Sequence, residues 1–321
     1  MRAYIIRRLL LVIPTLFLVS LIVFFGIRLI PGDIVDIIVA MAKGMTGGGV
    51  PVTRAQLEHQ LGLDLPIYIQ YGRWIGNIIL HGDFGISYWK GTPVIGDVLA
   101  RWPVTFELGL LGLIIGQIIA LPIGIYSALR QDTWGDYIGR SFAIMCIAVP
   151  GFWLGTLIIV FPSIWWGYMP SIISIPFTED PIGNLKMFII PAIVLGMEMS
   201  GFTMRMTRTM MLEVLRQDYI RTAWAKGLRE RVVVLRHALK NALIPVVTLI
   251  GLYVPVLIGG TVIIENIFCL PGLGRLIIDS TLRRDYAIVS AVVLFFGIAM
   301  VFINLIVDLT YAFLDPRVHY K

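Results

Sequence analysis

Nine basic side chains fall within residues 201–244: Arg205, Arg208, Arg216, Arg221, Lys226, Arg229, Arg231, Arg236 and Lys240. Three acids accompany them, Glu213, Asp218 and Glu230. The densest part, residues 218–245, reads DYIRTAWAKGLRERVVVLRHALKNALIP. Leu212, Leu215, Tyr219, Trp224 and Leu228 are scattered among the charges, so the segment is amphipathic rather than spanning. Gly227 interrupts it. Residues 231–243 then resume a helical pattern, with Val234, Leu235, Ala238, Leu239 and Ala242 on one side and Pro245 at the entry to the next apolar run. Two chemistries fit. Small residues at Thr222, Ala223 and Ala225 beside a bend at Gly227 suit insertion into a groove of another protein. A basic loop beside apolar runs also binds anionic lipid headgroups. The residues alone leave these two readings balanced.

Elsewhere covalent chemistry is scarce. His59, His81, His237 and His319 are dispersed without ligand spacing, and Cys146 and Cys269 lie in or beside different apolar runs as packing residues. The Gly-rich tract 44–49 lacks a GK[ST] ending, which excludes a phosphate loop there. No cofactor, metal site or catalytic set is expected. Glu198 stands out because it interrupts an apolar run, where an ionisable group is costly and faces a partner or a cavity. It could line a pathway and meet a substrate amine, but a bond to another span is slightly favoured. Arg205, seven residues on, shares its helical face about two turns away, too far for direct pairing. Glu107 and Asp308 read as anchors at span ends. Trp165, Trp166 and Tyr168 read as an interfacial belt. Met197, Met199, Met204 and Met206 read as adaptable packing.

The elements that position these residues are membrane helices. Hydrophobic residues make up 58% of the chain and charged ones 14%, against about 25% charged in soluble domains. The net charge of +6 is gathered beside apolar runs, the positive-inside pattern, and not spread as a nucleic-acid surface. Six apolar runs are expected to span: 9–27, 108–129, 141–161 with a kink at Pro150-Gly151, 187–204, 241–264 and 286–307. The first reads as an uncleaved span, because it matches the ~20 residues a bilayer requires. Six spans put both termini and the basic hairpin on one side, the cytoplasm. The polar insertion at 33–102 then lies outside. Its bases (Lys43, Arg54, Arg73, Lys90, Arg101) nearly balance its acids (Asp33, Asp36, Glu58, Asp64, Asp83, Asp97). Within it, Thr53 and Gln56 read as a capping box for a short helix stopped by Gly62. Pro66 opens a second helix, with Ile67, Tyr71, Trp74, Ile75 and Ile78 on one face.

Residues 221–239 resemble the EAA loop of ABC-transporter permeases in Thr222-Ala223, Gly227 and the following HALKNALIP. Arg221 replaces the usual acid, His237 the usual Ile, and Lys240 a common Pro. The whole chain resembles the B-type permease of the dipeptide/oligopeptide/nickel importer family. That likeness rests on RRLLLVIPTLFLVSLIVFFGIRLIPGD, LGLDLPIYIQYGRWI, GDFGIS, the basic tract and ENIFCLPGLGRLIIDSTLRRDY with DPRVHY. The resemblance implies an all-α polytopic fold: six transmembrane helices in a type I ABC importer permease, with a small extracytoplasmic helical insertion. It divides the chain into 1–30 (N-terminus and first span), 31–102 (insertion), 103–313 (five-helix core with the coupling loop 205–244) and 314–321 (cytoplasmic tail).

The implied partners are a C-type permease subunit, two ABC ATPase subunits and an extracytoplasmic substrate-binding protein, in the cell membrane. The chain itself is then no enzyme. The residues implied at the ATPase interface are Asp218, Tyr219, Arg221, Thr222, Ala223, Lys226, Gly227, Leu228 and Arg229, with Glu198 on the pathway. Peptide is the expected cargo, with nickel complexes or oligosaccharides as alternatives. An ion-coupled secondary transporter would need ionisable groups in several spans, and an intramembrane enzyme would need a nucleophile, paired carboxylates or a metal signature. Neither pattern is found.

Overall fold

The computed structural model describes residues 2–29, 58, 59, 63–167 and 175–314. The expected capping box (Thr53, Gln56), Gly62, the tract 44–49, Tyr168 and His319 lie outside these. Among the described residues the chain is helical, with one isolated bridge, Ile86 to Pro93, and no strand. Its helices are α1 (Arg2–Arg28), α2 (Ile67–His81), α3 (Val94–Leu129), α4 (Trp134–Ala148), α5 (Gly151–Trp166), α6 (Pro181–Leu215), α7 (Asp218–Ala225), α8 (Glu230–Ile267), α9 (Leu273–Leu282) and α10 (Tyr286–Leu314). The chain is an all-α polytopic membrane protein. Five helices (α1, α3, α6, α8 and α10) are long and apolar enough to cross a bilayer, and the bent pair α4–α5 makes a sixth candidate.

The expected third span differs most from the structure. A kink was predicted at Pro150, but α4 and α5 meet at 92°. Val149, held extended as residues before proline usually are, ends α4, and Pro150 opens α5. The other membrane helices continue beyond their apolar runs, because helical hydrogen bonding does not stop where hydropathy falls. Thus α3 begins fourteen residues before position 108, and α8 runs through Pro245 without a break.

Two compact units can be distinguished. The larger is built mainly on residues 103–275. There α6 is the central helix, packing against α4, α5 and α8. Asp180 starts it, its carboxylate accepting from the backbone N–H of Ile182 and Gly183 (3.1 and 3.0 Å), with Pro181 in the first turn. A core of Leu108, Phe188, Ala192, Val194, Leu195, Met199, Leu257 and Ile264 joins α3, α6 and α8. Helices α3 and α6 touch through glycine: a Cβ on Gly196 would lie 2.4 Å from the Gly112 carbonyl oxygen and 3.1 Å from the Gly116 nitrogen. This Gly112-xxx-Gly116 contact is the small-residue packing of membrane helices.

The second unit contains residues 7–102 and 276–301. Pro66 does open α2, and Tyr71, Trp74, Ile75 and Ile78 are half-buried as predicted, although Ile67 is exposed. Phe24 of α1 packs on Tyr71 and Trp74 (ring centroids 5.2 and 5.6 Å), and the Ser20 and Tyr71 hydroxyls share a 2.8 Å hydrogen bond. Arg28 lies over the Phe24 ring and donates to Gln70 Oε1 at 2.7 Å. Further along, Ser87 donates to the buried carboxylate of Asp285, and Trp89 Nε1 to the Arg283 carbonyl.

Candidate functional site

Helix α7 is eight residues long and too short to be stable alone. Packing stabilises it instead. Ile220 and Ala223 are buried in one cluster with Ala128 of α3, Met211 of α6 and Val233, Val234, Ala238 and Ala242 of α8. The start of α8 is wound as a π-helix over Val233–Ala238. With i→i+5 winding, Val233 and Ala238 stack on the inner side while Leu235 turns out. This corrects the α-helical expectation, which placed Leu235 inside and omitted Val233.

The end of α7 forms a Schellman cap. Leu228 N–H donates to the Ala223 carbonyl at 3.4 Å, and Gly227 N–H to that of Trp224 at 2.9 Å. Gly227 sits at φ +75° with open space around it. The predicted bend is therefore a left-handed residue that glycine adopts without strain. The side chain of Asn241 on α8 donates to the Tyr219 hydroxyl at 2.9 Å, tying the exposed side of α7 to α8. Thr222 Oγ1 returns to the Asp218 carbonyl at 2.9 Å. Arg221 and Asp218 approach to 3.5 Å with side chains 71% and 97% exposed, an ion pair of little energetic weight.

Of the nine predicted interface residues, Asp218, Tyr219, Arg221, Thr222, Lys226, Gly227, Leu228 and Arg229 are exposed. Ala223 is the correction. It faces inward, and its small size serves the close approach of α7 to α8, leaving an outer face of charged and larger side chains.

Glu198 is also placed differently from the favoured expectation. It bonds to no other span among the described residues. Its side chain is exposed at the middle of α6, within electrostatic reach of Tyr253 on α8. Tyr253 packs against Phe202, one turn after Glu198, with ring centroids 5.2 Å apart.

Besides Asp285, two further buried carboxylates escaped the sequence reading. Asp136, fully buried on α4, receives Arg208 Nε and Nη2 at 2.7 Å each, the Ser127 hydroxyl, and the Asp132 N–H at 3.0 Å. Glu265, fully buried near the end of α8, receives the Thr105 hydroxyl at 2.7 Å. It also takes the backbone N–H of Gly274 and Arg275, at 2.7 and 3.2 Å, capping the start of α9.

The site is thus an exposed basic turn packed against three membrane helices, together with a charged face on the central one. Residues 120–320 match the family described as the binding-protein-dependent transport system inner membrane component, and residues 1–109 match its N-terminal counterpart. The chain belongs to this permease family. The oligopeptide transport system permease protein AppB of Bacillus subtilis is 40% identical over 325 residues, covering 100% of both chains. The glutathione transport system permease protein GsiC of Escherichia coli is 37% identical over 319 residues, covering 99% of each. A chain of the MetNI methionine ABC transporter in an inward-facing form has the same fold, with a TM-score of 0.55 at 16% identity, over 69% of this chain and 97% of that one. This permease is therefore a membrane component of an ATP-driven importer, not a catalytic subunit.

Proposed function

We propose that the permease forms half of the pathway of a peptide importer. It would be paired with a second permease subunit, powered by two separate ATPase subunits and supplied by an extracytoplasmic binding protein. The observation that carries this reading is the cluster uniting Ala128, Met211, Ile220, Ala223 and Val234. It makes the exposed turn 218–229 part of the same packed body as α3, α6 and α8. A push on the turn by a closing ATPase dimer would reach the membrane as rigid-body motion. Helix α8 carries it furthest, since its 38 residues run unbroken over about 57 Å.

In this reading the turn and both termini are cytoplasmic, and the 31–102 insertion lies outside. Peptide cargo is supported by the full-length likeness to the oligopeptide and glutathione permeases. The test is to purify the tagged permease in detergent with its co-expressed system and reconstitute it. ATP-dependent uptake of a labelled tripeptide by a complex retaining two ATPase subunits is expected. Uptake by the permease alone overturns the ATPase-coupled reading, and uptake of nickel chelates or oligosaccharides but no peptide overturns the cargo.

A further inference from the structure

Two charges occupy the exposed side of the helix that the chain covers most. Of the candidate spans, α6 has the largest buried share, yet Glu198 at its midpoint and Arg205 below it are exposed. Neither has an oppositely charged partner within salt-bridge distance among the described residues. Arg208, one turn further, is different: Asp136 neutralises it. A carboxylate at mid-span facing hydrocarbon is costly. This face of α6 therefore calls for water or a polar partner.

The surroundings of the two charges differ in kind. Phe202 follows Glu198 by one helical turn and packs on Tyr253 of α8, which lies within electrostatic reach of Glu198, and a carboxylate with aromatic rings nearby suits an ammonium group. Beside Arg205, across a small recess, lies Arg140 of α4, whose guanidinium sits over the Tyr137 ring and meets no acid among the described residues. Two guanidinium groups suit a carboxylate. Seven helical residues separate the two ends by about 10.5 Å, and three extended peptide residues cover about 10 Å.

We propose that the α6 face bearing Glu198 and Arg205 is a track for a peptide with free termini. Glu198 with Phe202 and Tyr253 takes the α-ammonium, and Arg205 with Arg140 takes the α-carboxylate. This rests on the peptide-import reading above and adds the chemical group recognised at each end.

The experiment measures ATP-driven uptake of trialanine, N-acetyl-trialanine and trialanine amide by the complete reconstituted importer. Losing one charge-assisted contact weakens binding by about tenfold or more. Glu198→Gln is expected to lower trialanine and trialanine amide uptake by about that factor and to leave the N-acetyl peptide at its wild-type rate. Arg205→Gln should lower trialanine and the N-acetyl peptide and spare the amide. Exchanging the charges (Glu198→Arg with Arg205→Glu) should recover only part of the uptake lost by either reversal alone, because a peptide read backwards finds opposite charges at both ends but Arg140 still stands beside position 205. The track is overturned if single variants transport trialanine at the wild-type rate or lose all three peptides equally. It is also overturned if they shed the second permease subunit, which would make these charges an intersubunit contact. A wild-type importer that hydrolyses ATP in response to its binding protein yet takes up none of the peptides overturns the peptide reading, and the track with it.

Discussion

Arg208 on α6 holds Asp136 on α4 through two parallel bonds of 2.7 Å, and the two partners are unequally covered. The Asp136 side chain is fully buried, whereas that of Arg208 keeps 19% of its surface exposed. Removing the arginine strands a charge in the interior, but removing the aspartate leaves a guanidinium that can still reach solvent. Breaking a buried pair by removing one partner costs about 3–5 kcal/mol. Arg208→Ala should therefore lower the thermal unfolding midpoint in detergent more than Asp136→Ala. The double variant should be more stable than Arg208→Ala alone. The reverse order for the single variants would show that the carboxylate is satisfied by Ser127 and the Asp132 N–H without the arginine.

Helix crossing supplies a second ordering. A Cβ at Gly196 meets backbone, the Gly112 carbonyl oxygen at 2.4 Å, whereas a Cβ at Gly112 meets the Leu195 side chain at 2.9 Å. A side chain can rotate away and a backbone carbonyl in a helix cannot. Gly196→Ala should force α3 and α6 apart at an overpacking cost of about 1–3 kcal/mol, and Gly112→Ala should cost less. Melting midpoints of the two purified variants decide it, and equal losses would mean that the helices separate as easily at either glycine.

The membrane helices were legible because apolar runs long enough to span leave few alternatives. The basic turn was legible because charges and a glycine interrupt that pattern. The inward turn of Ala223 was not. A small residue suits an outer docking face and a close internal contact equally, and only the position of Val233 and Val234 selects between them. The π-helical start of α8 likewise reverses the roles of Val233 and Leu235 without any local mark. Asp136 and Glu265 were missed because Arg208 and Thr105, the side chains on other helices that bond to them, lie 72 and 160 positions away in sequence. Pro150 announced a break, but its 92° angle depends on what each half-helix packs against. The Gly112-xxx-Gly116 spacing could have been read, since small residues four apart in an apolar run mark a close helix crossing.

Glu265 gives a third prediction. One carboxylate oxygen accepts from Thr105, and the other from the N–H groups of Gly274 and Arg275. Thr105 Oγ1 in turn accepts the Leu273 N–H at 2.8 Å. In Glu265→Gln the amide oxygen can face the two backbone donors, but its NH₂ must then face a hydroxyl that already accepts one bond. An orphaned buried donor costs about 1–3 kcal/mol. Glu265→Gln should be destabilised by that order, and Glu265→Ala by more, because it leaves three donors unpaired. Pairing Glu265→Ala with Thr105→Val removes the orphaned hydroxyl but strands the Leu273 N–H, so the double variant should lose less than the sum of the two single losses without regaining stability over Glu265→Ala. Additive losses would show that Thr105 and Glu265 do not act as a unit.

The last prediction separates strain from contact at Gly227. Its φ of +75° is left-handed, and a Cβ there meets nothing within 4 Å. Any loss from Gly227→Ala must then come from backbone strain, about 1–2 kcal/mol, or from something outside the chain that approaches the glycine. Asparagine tolerates the left-handed region better than alanine and presents a larger side chain. If the bend alone matters, binding-protein-stimulated ATP hydrolysis should follow the order Gly, Asn, Ala. If an ATPase surface closes directly over the glycine, Asn should uncouple at least as strongly as Ala while the thermal midpoint stays nearer wild type. Docking directly over Gly227 requires the second pattern. Full coupling in the Asn variant would move the ATPase contact away from Gly227, toward the exposed Arg221, Thr222 and Lys226.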